Sequence, residues 1–281
     1  MPTERFAEMD PEEIEYSKYV VKLLKRVDTI SADLNERIDA PPGCRLALDD
    51  SRTPHFPVSS YGHAQLLAAV GCLESLGQMI LREDDKSIEI VAGPYGAYAL
   101  VRNALDCAAT ALWLLEPESS TLRIKRRIMI QVDEIRHGAS LRDSSGEPKK
   151  VWTEWKKDFR KRMREVAQEA NLGTWNPLHD DSELPSMTAV LKQLERHHHD
   201  HRSVVLPWLS AWQLASGHAH GKQWAQIASH QLDEIGDTRT ETGATFRVSI
   251  RYGMLAVLLL EAVQLIESAS ARYTVLLQPT T

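Results

Sequence analysis

Only three cysteines occur in 281 residues, Cys44, Cys72 and Cys107, and no two form a C-x-x-C pair. An odd number of widely separated thiols makes no disulfide framework and argues against a cysteine-based zinc site. It fits a reducing cytosol. A long hydrophobic run is missing as well. The most apolar stretch, GMLAVLLL at 253–260, lies between Arg251 and Glu261 and is too short to cross a bilayer. The opening MPTERFAEMDPEE is acidic and polar, whereas a secretory signal begins basic and continues apolar. A cytoplasmic protein without membrane contact is therefore expected. No G-x-S-x-G, P-loop, G-x-G-x-x-G or H-E-x-x-H pattern is found, which removes the common hydrolase, nucleotide-binding and metalloprotease readings. No pattern calls for a cofactor.

What is present is helical periodicity. Asp10, Pro11, Glu12 and Glu13 form a helix start, and apolar residues recur at helical spacing to about residue 38. APPG at 40–43 and TPHFP at 53–57 predict a loop throughout that interval. Further helices are expected over about 61–82, from Pro94 to about 116, over 121–141 and over 149–171. Shorter ones follow: 185 to about 196, about 206 to Gly217 as C-cap, and QWAQIASHQL. A long apolar helix is expected from Phe246 to about 277. SIEIVAGPYG holds at most a few extended residues, and IGDTRTETGAT is a polar, turn-rich excursion. The fold class is all-α: a single helical bundle of roughly eight helices, with the Pro94–Glu116 helix and the last helix in the middle. Residues 1–58 are an N-terminal helix and Pro-rich loop packed on a core domain of residues 59–281.

Charge is unevenly distributed. Residues 119–164 carry 14 Lys and Arg against 6 Asp and Glu, a balance of +8, so the net charge of -6 leaves -14 for the rest. Such a segment either attracts RNA or another polyanion, or is neutralised by the rest of the fold. In KKVWTEWKKDFRKRMR, Trp152, Trp155, Phe159 and Met163 share one side of a helix. Lys156, Arg160 and Arg164 line another at i, i+4 spacing.

Two histidine-bearing stretches are candidate sites. SGHAHG places His218 and His220 two residues apart. They can chelate a metal together only on an extended segment, with ligands from elsewhere; a metal-dependent hydrolase is one alternative. Otherwise one of the two packs inside against a polar partner. Arg102 and Asp106 stand at i, i+4 and can pair, with a histidine or Ser216 completing a buried cluster. HHHDH at 197–201 reads as a solvated, pH-sensitive run.

VRNALDCAATALWLLEP, the basic helix after it, LSAWQLASGHAHG and the terminal apolar helix together resemble the HEPN superfamily, over about residues 60–275. The resemblance implies an all-helical core, a homodimer and a metal-independent RNase in stress or defence, or a degenerate RNA- or nucleotide-binding relative. Active members carry an arginine, a polar residue and then a histidine four residues further on. Arg102 and Asn103 match the start, while Cys107 stands at the histidine position. His220, brought from another helix, is the expected substitute as acid or base. Arg102 would stabilise the charged transition state, and Ser216 or Asn103 would position the phosphate. The other class open to the same residues is a non-catalytic interaction protein in which Arg102, Asp106 and a histidine form a structural polar cluster.

Overall fold

The Asp10 carboxylate accepts the amide of Glu12 at 3.0 Å, and Pro11 opens the first helix with its φ already set, so the N-terminal signal works as the sequence implies. The computed structural model describes residues 10–83, 88–93, 95–144, 149–179, 183–198, 204–236, 238–241 and 243–279. Among them are ten helices: α1 (Pro11–Asn35), α2 (Arg45–Arg52), α3 (Val58–Ile80), α4 (Gly96–Leu115), α5 (Ser120–Ser144), α6 (Lys149–Glu169), α7 (Met187–His198), α8 (Trp208–Ala219), α9 (Gln223–Ser229) and α10 (Tyr252–Leu276). Two antiparallel two-stranded ribbons complete the fold. They are β1 (Leu81–Glu83) with β2 (Ile88–Ile90), and β3 (His230–Glu234) with β4 (Phe246–Ile250).

The fold is the expected all-α bundle, with ten helices in place of roughly eight. Helix α2 lies inside the interval read as loop. The Cys44 sulfur accepts the amide of Ala47 and starts the helix, a cap that no Ser, Thr or Asp announces. The last helix begins at Tyr252, not Phe246. FRVSI is strand β4, which pairs with β3 from His230↔Ile250 to Glu234↔Phe246, and β3 takes His230, Gln231 and Leu232 from the stretch read as the helix QWAQIASHQL. The polar excursion between them is the hairpin connection. Helix α8 runs past Gly217 to Ala219. His220 is its C-cap and Gly221, at φ 62°, supplies the left-handed residue. Gly221 and Lys222 donate to the carbonyls of His218 and Gly217, closing a Schellman end.

Alanines on α4 let neighbours approach closely, and it packs against α3, α10 and α8. Helix α10 is flanked by α4 and α1. By length and composition α10 is apolar enough to span a membrane, but 61% of its most apolar window is buried inside the bundle. Burying a Leu or Ile side chain contributes about 1.5–3 kcal/mol, so the Leu255–Ile266 stretch is a large part of what holds the bundle together.

Candidate functional site

Helix α4 presents Arg102 and Asp106 on the side that meets α8. The two pair along the helix, Arg102 Nη1 to Asp106 Oδ2 at 3.2 Å. Helix α8 brings two partners one turn apart. Ser216 Oγ accepts from Arg102 Nε at 3.1 Å, and Trp212 Nε1 donates to Asp106 Oδ1 at 2.6 Å. The guanidinium carbon lies 5.9 Å from the Trp212 ring centroid, adding a cation–π contact. Asn103 is exposed and touches the arginine only at 3.4 Å. Burial pushes the Asp106 carboxyl up, while the Trp212 N–H and the Arg102 charge pull it back. Arg102, Asp106, Ser216 and, marginally, Asn103 are thus brought together as the sequence suggested. Trp212 is the member it did not suggest, although its i, i+4 relation to Ser216 was there to be read.

His220 is exposed at the end of α8, one turn beyond Ser216, and donates its backbone amide to the Ser216 carbonyl at 3.0 Å. Its imidazole has no hydrogen bond, ion pair or ring contact among the described residues. Cys107 is half-buried. Burial and the neighbouring Cys72 and Asp106 push its thiol up to about 11.

His218 points the other way, into the bundle, and is 2% exposed. Ser229 Oγ donates to the Ala225 carbonyl at 2.7 Å, so it has no hydrogen left for the imidazole and must accept from His218 Nε2–H at 2.5 Å. That fixes the neutral tautomer and leaves Nδ1 buried without a partner among the described residues. The ring stacks on Tyr98 at 4.0 Å and meets His230 edge-on at 4.6 Å. Burial first, then the His230 charge, drives His218 down to about 4. A metal-chelating HAH pair is therefore split between interior and solvent. Among the described residues no three His, Cys, Asp or Glu side chains gather as a metal would need.

The other histidine run is only partly within the described residues. His197 pairs with Glu116, and His198 sits 6.0 Å from the Trp208 ring; His201 and its neighbours lie outside.

Three arginines of the basic segment turn inward. Arg123, 2% exposed, pairs with Asp49 of α2 at 2.6 Å and caps the carbonyls of Pro117 and Glu118. Arg126 lies over Trp113 and reaches the Trp113 carbonyl and Glu116. Arg127 lies 4.3 Å from the Tyr61 ring centroid. With Ile130, these arginines form an i, i+3, i+4, i+7 stripe on α5, the signal that marks them as core-facing. The cations that remain outward are mostly on α6.

No family model, curated protein or solved structure matches the chain.

Proposed function

We propose that this chain is a non-catalytic helical interaction protein in which Arg102, Asp106, Ser216 and Trp212 form a polar lock between α4 and α8. One observation carries the reading: the groups of this cluster satisfy one another. Each oxygen of Asp106 has its donor, and the Arg102 guanidinium is already shared between a carboxylate and a hydroxyl. An arginine meant for a phosphorane-like transition state needs donors aimed at the substrate instead. Cys107 offers no replacement for a histidine, because a thiol raised to about 11 moves no proton near neutral pH. In this reading the chain is a degenerate HEPN-like protein with a cytoplasmic location.

A second reading is favoured by the exposed imidazole of His220 one turn from Ser216. It makes the protein a metal-independent RNase, with RNA drawn to residues 119–164 and two copies facing each other. The test is incubation of a mixed-sequence single-stranded RNA with the native chain, Arg102→Ala and His220→Ala, all in EDTA. Intact RNA in every sample supports the polar lock. Cleavage by the native chain that is lost in both folded variants replaces it with the RNase.

A further inference from the structure

Beyond the bundle, the C-terminal half of α5 and the N-terminal half of α6 run beside each other with few buried residues. Between them lies a groove of about 400 Å³. Its floor is apolar: Val132, Ile135 and Ala139 of α5 against Trp155 and Phe159 of α6, with Leu178 added from the loop after α6. Arg136 on one helix and Lys156 and Arg160 on the other stand along the walls, and among the described residues no carboxylate lines the groove. Arg136 meets Glu183 at 3.2 Å, an exposed pair of the kind that exchanges readily for another carboxylate. Trp155 and Phe159 stack on each other, 5.5 Å apart and 8° from parallel, and Arg142 lies over Trp155.

We propose that the apolar floor and basic walls of the α5–α6 groove bind an acidic amphipathic helix of a partner protein. This rests on the interaction-protein reading above and names its partner. The floor needs apolar side chains to fill it, which a phosphate backbone does not supply. The tryptophan and phenylalanine faces are occupied by each other and by Arg142, so they make poor platforms for bases. An amphipathic helix fits both requirements: apolar anchors at i, i+3, i+4 and i+7 enter the floor, and flanking Asp or Glu meet Arg136 and Arg160. The floor on α5, from residue 132 to 139, is about 12 Å long. A partner helix of about three turns covers it.

The experiment selects a displayed library of random 14-residue peptides on the full chain, then measures the enriched peptides by fluorescence anisotropy. The expected consensus is acidic, with apolar residues at helical spacing. Affinity should fall at least tenfold in Arg160→Glu and in Ile135→Asp, and hold in Lys18→Ala, an exposed position on α1. Arg160 is exposed, so Arg160→Glu is expected to fold; a thermal melt matching the native chain's verifies it. A failed selection, a consensus without acidic residues, or binding indifferent to Arg160→Glu overturns the proposal. So does a labelled oligouridylate 12-mer that binds the native chain and is lost in Arg160→Glu, which would make the groove a nucleic-acid site. RNA cleavage dependent on Arg102 would instead overturn the interaction-protein reading, whatever the peptides do.

Discussion

The buried pair between Arg123 and Asp49 is where one substitution should do most damage. Asp49 is 0% exposed and Arg123 2%, with Nε and Oδ2 at 2.6 Å. Arg123→Met leaves the carboxylate buried without its cation and strips a charged donor from the Pro117 and Glu118 carbonyls. Removing one member of such a pair costs about 3–5 kcal/mol, against total stabilities of roughly 5–15 kcal/mol. Asp49→Leu with Arg123→Met removes both charges. The Pro117 carbonyl keeps a donor in Arg272, so one carbonyl loses its arginine outright, and the double variant should lose no more than about 2 kcal/mol. Urea unfolding followed by circular dichroism gives all three values. A loss under about 1 kcal/mol for Arg123→Met, or a double variant as unstable as the single, would refute the reasoning.

Other outcomes follow from the same geometry. A Cβ on Gly217 would lie 2.6 Å from the Trp224 ring and 2.7 Å from the Ala225 Cβ; the ring can turn but α9 must move, so Gly217→Ala should cost about 1–3 kcal/mol in the same unfolding assay. His218 titrates at about 4 in the fold against an ordinary 6.5, so the unfolded chain binds the extra proton between those values. Its contribution is complete above about pH 6.5 and falls by about 3 kcal/mol as pH drops to 4. His218→Phe should flatten that part of the stability–pH curve, and a curve of unchanged slope would count against the buried neutral imidazole. Cys107, raised from 9 to about 11, should react with iodoacetamide at pH 8 roughly a hundredfold more slowly than a free thiol, as followed by mass spectrometry.

The sequence was most legible where local chemistry and burial agree. The α1 start follows from Asp10 and Pro11, and α4 is bounded within a residue or two because its alanine and leucine pattern matches its buried face. Helix α2 was hidden because its cap is a cysteine and prolines flank it on both sides. Strand β4 was read as helix because no proline or tight-turn pair separates FRVSI from the apolar α10, although F-R-V-S-I-R alternates apolar and polar as a strand does. At the candidate site, the i, i+4 spacing announced Arg102 and Asp106, and Ser216 was an expected partner, but the Trp212 pairing with Asp106 spans more than a hundred residues of sequence. His218 and His220 look equivalent in the sequence. They part company because helix α8 continues through His218, placing it against Ser229, and ends at Ala219, leaving His220 as an exposed C-cap.

The most direct test of the polar lock is the unfolding free energy of Arg102→Ala beside that of the native chain. Among the described residues, the substitution leaves Asp106 with Trp212 as its only side-chain donor and deprives Ser216 of its Arg102 donor. A structural lock predicts a loss of about 1–3 kcal/mol. Stability that is unchanged or raised is what a residue held for catalysis gives, and it would contradict the account.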